Sequence, residues 1–162
     1  MTAQTITPAP VRKTIRVNAN VARAFDVFAA NMSSWWPKTH SVTKTPLKDV
    51  VIEPFAKGRW YQVGEDGVEC DNGHVLAWEP PHRLLLAWQL DPDWQFDPEL
   101  VTEVEIKFIA ESERVTRVEL EHRHLERMGP RGEVARGMVD APNGWTAILE
   151  IYRQAAEGST AR

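Results

Sequence analysis

The sequence predicts one α+β domain in which a seven-stranded antiparallel sheet is covered by a long C-terminal helix. Three observations lead there. Apolar residues recur at helical spacing in two widely separated places, at Val21, Ala24, Phe25 and Phe28 and again at Trp145, Ile148, Leu149 and Tyr152. Between them, from Val50 to His122, the apolar period falls to two, the mark of strands with one face buried. Those strands are separated by short turn signals, and strands joined by short turns pair antiparallel. At 162 residues one core serves the whole chain.

In chain order, residues 1–10, with Pro8 and Pro10, are a frayed tail, and the domain occupies 11–157. Val11–Val17 alternates as a strand, with a flaw at Lys13. Asn20 is suited to cap the first helix. Trp35-Trp36-Pro37 follows, where proline stops any helix. Val50 and Ile52 form a strand ended by Glu53-Pro54, Lys57-Gly58 turns, and Arg59–Val63 is the next strand. Glu65-Asp66-Gly67 is a hairpin signal. Val68–Trp78 carries Gly73 in its interior, which points to a bulge or a close backbone approach. After Glu79-Pro80-Pro81-His82, Leu84, Leu86, Trp88 and Leu90 share a face. Asp91–Pro98 is a polar loop holding Trp94 and Phe96. Val104, Ile106 and Phe108 face inward on one strand; Val118, Leu120 and His122 do so on the last. A short helix is expected around Val134–Met138, and Asp140-Ala141-Pro142 announces the terminal helix over 143–157.

Composition excludes several function classes. There are 19 Lys and Arg against 23 Asp and Glu, a formal charge of −4, so no nucleic-acid partner is expected. No apolar run approaches the roughly 20 residues of a membrane span. The N-terminus lacks the apolar stretch of a secretory signal, so the expectation is a cytoplasmic protein without a membrane partner. A lone Cys70 excludes an internal disulfide and a paired-cysteine metal or redox motif, and reads as a structural thiol. No GxSxG, GxGxxG or Walker loop is present. No cofactor, no metal and no catalytic set is therefore expected. A homodimer is left open, since an exposed tryptophan or an open sheet edge can be covered that way.

The polar candidates are few. Alternation places His122 on the apolar face, either as a core histidine satisfied by a hydrogen bond or as a ligand contact or general base. His40 follows the tryptophan pair in a loop, and His74 and His82 lie near strand ends. His122 and His124 have a spacing that can ligate metal, but no cysteine pair, HExxH or carboxylate on that face supports it. Glu103, Glu105, Glu119 and Glu121 alternate with apolar residues and belong to a wet face. The outstanding number is seven Trp against five Phe and two Tyr. Adjacent Trp35 and Trp36 cannot both point the same way into a core; a cavity lining is the preferred reading.

An ordered set of motifs carries a resemblance. Trp35-Trp36-Pro37, Glu53-Pro54 with Gly58-Arg59-Trp60, and Gly73-His74-Val75 running to Glu79-Pro80-Pro81 come first. Leu84 to Trp88, Thr116, Glu121-His122 and Gly144-Trp145 complete it. The chain resembles the Aha1-type branch of the START-like (SRPBCC) superfamily over about residues 11 to 155. The resemblance implies a helix-grip fold, a curved sheet wrapped on the C-terminal helix with an apolar cavity between them. It implies Phe25, Phe28, Trp35, Trp36, Trp60, Leu86, Trp88, Phe108, His122 and Trp145 as cavity-facing, ligand-binding candidates. The expected partner is an apolar or aromatic small molecule, with His122 as the polar group that orients it. Two alternatives stand beside it: a cyclase- or dehydratase-like enzyme using His122 or His40, and an Hsp90 co-chaperone-like interaction domain. Fold alone does not choose among them.

Overall fold

The computed structural model describes residues 8–158. Strand β1 (Val11–Val17) leads to helix α1 (Val21–Ala29), and six strands follow in sequence. They are β2 (Leu47–Ile52), β3 (Arg59–Gly64), β4 (Glu69–Glu79), β5 (Arg83–Trp88), β6 (Thr102–Ala110) and β7 (Thr116–Arg123). Helices α2 (Gly132–Asp140) and α3 (Trp145–Gly158) close the domain. The sheet runs β1-β7-β6-β5-β4-β3-β2 with every pair antiparallel. The expected order holds, with α2 longer than expected and β2 starting earlier. Of the tail expected over 1–10, residues 1–7 lie outside the described residues. Pro8 is buried, and the Ala9 carbonyl accepts a hydrogen bond from Arg136 of α2 at 2.8 Å.

Two bulges in β4 curl the sheet around α3. The ladder to β3 pairs Trp60 with Gly73 and Tyr61 with Asp71, so Asn72 is an extra residue; a second shift lies between Val75 and Ala77 on the β5 side. Each extra residue bends the strand and inverts its in–out alternation. Hence Val75 is buried on one side of the second bulge and Trp78, not Ala77, packs on Phe25 at a 5.2 Å ring distance on the other. Gly73 sits where no side chain fits: a Cβ there would lie 1.7 Å from the Ala87 carbonyl oxygen.

One end of the space between sheet and helices is solid. The Asn20 side chain caps α1 by accepting from the Arg23 amide. Phe25 and Phe28 of α1 meet Phe108 of β6 at ring distances of 5.2 and 5.8 Å. Tyr152 of α3 stacks edge-on against Phe28 and donates its hydroxyl to the Ala24 carbonyl at 2.6 Å, fastening α3 to α1. Burial raises the Tyr152 hydroxyl's pKa, which keeps it a donor.

The outer face of the sheet is an ion-pair lattice with a definite logic. Glu105 and Glu121 lie directly opposite on β6 and β7, a like-charge pairing that is unfavourable by itself. Arg123 lies between them and reaches both, each at 2.9 Å, and also Glu103. Arg16 and Arg117 form the inverse case, bridged by Glu111 at 2.7 and 2.8 Å. Burial pushes the Glu105 carboxyl up, but hydrogen bonds from Arg83 and Arg123 outweigh it and hold it below its ordinary value of 4.5. A carboxylate so depressed contributes stability above its unfolded pKa and loses it as pH falls through the folded one. Arg123→Met should therefore destabilise the protein by about 1.5–3 kcal/mol at pH 7, the range for hydrogen bonds to charged groups. Chemical denaturation should show that deficit shrinking below pH 4.5; a deficit constant with pH would contradict the bridging role.

Candidate functional site

At the other end, the space between sheet and α3 stays open. A cavity of about 360 Å³ lies between β3, β4, β5, the loop after α1 and the first turn of α3. That is at the lower end of the range for small-molecule sites. Its aromatic wall is Trp36, Trp88, Trp94 and Trp145. Trp88 and Trp145 meet at 5.7 Å and 62°, Trp36 and Trp145 at 6.3 Å and 76°, and Trp88 and Trp94 at 6.2 Å and 70°. Edge-to-face contacts of this kind fix rings in place while leaving some of their faces free.

The tryptophan pair divides between core and cavity. Trp35 donates its indole N–H to the Val27 carbonyl at 2.7 Å and packs on Phe28 and Tyr152. Trp36 donates to the His40 carbonyl at 3.0 Å and turns to the cavity beside Trp60 and Trp145. Of the ten expected residues, Trp36, Trp88 and Trp145 line the cavity. Phe25, Phe28, Trp35, Leu86 and Phe108 lie in the packed core. Trp60 stands behind the wall, fully buried between Trp36 and Trp88.

His122 is also behind the wall, and both its ring nitrogens are engaged. The Trp145 indole N–H donates to Nδ1 at 3.2 Å; an indole nitrogen only donates, so the proton of the neutral ring is on Nε2. Nε2 lies 2.9 Å from the Thr102 hydroxyl, which in turn donates to the Trp88 carbonyl at 3.0 Å. Each donor in this chain meets one acceptor. Complete burial lowers the His122 pKa from 6.5 to about 3. The imidazole thus positions Trp145 and keeps no polar atom in hand for a ligand.

Polar residues unforeseen in the sequence border the cavity. Gln62 shares inward parity with Trp60 on β3, a signal that alternation could have supplied. It accepts from the Val42 amide at 2.9 Å and donates to the His40 carbonyl at 3.4 Å. His40 lines the mouth, its Nε2 2.7 Å from the Asn143 carbonyl and its Nδ1 3.1 Å from the Thr39 hydroxyl. Asn72 was hidden because the bulge inverts its parity. It is 1% exposed, and neither atom of its amide has a hydrogen-bond partner among the described residues. Such unpaired burial costs on the order of 1–3 kcal/mol per group. Elsewhere, the sequence neighbours His122 and His124 do not share a face: β7 ends at Arg123, and His124 turns into a left-handed conformation at φ 65°. Among the described residues, no three His, Cys, Asp or Glu side chains cluster to hold a metal ion. No helix there is long and apolar enough to cross a membrane.

The sign of the His122 shift makes a prediction. A histidine kept neutral by the fold contributes its full stability above the unfolded pKa of 6.5 and loses it as pH falls towards 3. His122→Leu should remove that part of the acid-side slope, at most about 1.4 kcal/mol per pH unit. At pH 7 it should cost about 1–3 kcal/mol for the orphaned Trp145 N–H. Denaturant melts of both proteins from pH 7 to 4 check this; parallel curves would contradict it.

Comparison with known proteins agrees with this geometry. A family model described as activator of Hsp90 ATPase homolog 1-like protein matches residues 18–157. An anthrahydroquino-γ-pyrone synthase, Txn09, is 34% identical, with 91% of this chain and 97% of that chain covered and a TM-score of 0.65. The self-sacrificing resistance protein CalC from Micromonospora echinospora is 30% identical, with 91% and 93% covered and a TM-score of 0.69. An Aha1 dimer from Colwellia psychrerythraea, 12% identical over 93% of this chain and 98% of that one, shares the fold at a TM-score of 0.63. No curated protein matches the sequence. With the curled seven-stranded sheet gripping α3 and the family model spanning nearly the whole domain, the chain belongs to the activator of Hsp90 ATPase homolog 1-like family, within the START-like superfamily.

Proposed function

We propose that the protein binds a planar, largely apolar small molecule in the cavity between the sheet and the first turn of α3. One observation carries the reading: four tryptophans converge on a space of about 360 Å³ that the core side chains leave unfilled. An apolar lining with a few placed polar groups is the ordinary make-up of a small-molecule site. Two relatives at 30% identity or more support the family context, one an anthrahydroquino-γ-pyrone synthase and the other a self-sacrificing resistance protein.

A second reading is an enzyme of the same site with His40 as its acid–base group. His40 favours it by lining the mouth, within reach of what the cavity holds. His122 does not serve, being fully buried behind the wall with both ring nitrogens engaged. The two readings separate on one variant: His40→Gln should leave affinity within about twofold in both, and abolish turnover of a bound compound only in the second.

The binding test uses polycyclic aromatic compounds of two to four rings, followed by tryptophan emission and thermal melting. A true ligand at 100 times its Kd stabilises by about 2.7 kcal/mol. Val42, half-buried on the loop wall, can be enlarged without disturbing the sheet. Val42→Trp should abolish the response while the unliganded melting temperature stays within a few degrees. A library without any response, or a response that survives in the filled variant, would contradict the proposal.

A further inference from the structure

We infer that the Asn72 amide reads one edge of the ligand, and that this edge presents a hydrogen-bond donor beside an acceptor. The inference rests on the proposal that the cavity takes a small molecule. Asn72 lines that cavity, is buried, and has both amide atoms without partners among the described residues. The bulge that exposes it to the inside is built into the ladder: its backbone carbonyl accepts from the Gln89 amide at 2.8 Å, across from Trp88 and Leu90. A bulge beside a site is a device for re-aiming a side chain.

The other polar side chains of the cavity are accounted for. Gln62 is held by Val42 and His40, His40 by Asn143 and Thr39, and Ser41 by Thr43. Asn143 is exposed and solvated. Asn72 is the buried side chain of the lining left with unmet capacity on both atoms. Its requirement is specific. A carboxamide offers one acceptor and one donor side by side in a plane, so its complement is a donor and an acceptor side by side on a flat edge. A fused lactam has that edge; a simple arene or an isolated ketone does not. A site built to bond such a pair rejects analogues that lack it, because its buried groups are then left unpaired. The apolar tryptophan faces take the body of the ligand and Asn72 sets which way round it lies.

The probes are 6(5H)-phenanthridinone, a tricyclic lactam, and phenanthridine, of nearly the same shape with an acceptor only. Calorimetric titration of the wild-type protein should give at least tenfold tighter binding of the lactam. Asn72→Leu should bring the two within about twofold by weakening the lactam alone. Relieved of two unpaired buried groups, that variant should melt no lower than wild type. Equal wild-type affinities, a measurement needing no variant, would overturn the inference while leaving the cavity proposal standing, as would a lactam preference retained in Asn72→Leu. Failure of both probes to bind would overturn the inference, and failure of the whole polycyclic library would overturn the cavity proposal with it.

Discussion

A neutral, fully buried imidazole on the inner face of β7 fixes where the C-terminal helix begins. His122 accepts a hydrogen bond from the Trp145 indole on one side and donates one to Thr102 on the other, and Thr102 closes the chain by donating to the Trp88 carbonyl. Four elements, β5, β6, β7 and α3, are joined by three buried hydrogen bonds. Another attachment of α3 is Tyr152 to Ala24, two turns further on. Further on, Arg23 donates to the Ala156 carbonyl at 2.7 Å, so the helix is held along its length against a sheet bent by two bulges. At the Tyr152 end phenylalanines fill the space between them; at the Trp145 end they do not.

The aromatic surplus follows from this division. Trp35, with Phe25, Phe28 and Phe108, builds the closed end. Trp36, Trp88, Trp94 and Trp145 build the open one, and Trp60 backs the wall from within the core. Tryptophan suits a wall of this type because its N–H can be anchored to a carbonyl or an imidazole while the ring face stays free. Trp36 and Trp145 are both held that way, through His40 and His122. The two histidines thus act on the site through the rings they hold.

Periodicity made the architecture legible. The strand order, the antiparallel pairing and the covering helix follow from where the apolar period changes, and Gly73 marked the close approach of β4 to β5. Parity also put His122 inside, though it did not reveal that both nitrogens would be engaged, since Thr102 and Trp145 come to it from other elements. The site was legible only in part, for a physical reason. Whether an inward aromatic ring fills a core or borders a space depends on the tilt of α3, which no local pattern records. Trp94 looked like part of a polar loop because its approach to Trp88 requires the loop to fold back, through the pairing of Leu90 with Phe96. Asn72 was invisible to alternation because a bulge is the place where alternation breaks.

The division of the tryptophans between core and cavity is the central claim, and fluorine NMR of 5-fluorotryptophan-labelled protein tests it most directly. Resonances assigned by single Trp→Phe variants would be followed while a planar polycyclic probe is added. The account predicts saturable shifts at Trp36, Trp88, Trp94 and Trp145, with Trp35 and Trp78 unmoved. Shifts confined to Trp78 or Trp35, or no shifts up to the solubility of the probe, would contradict it.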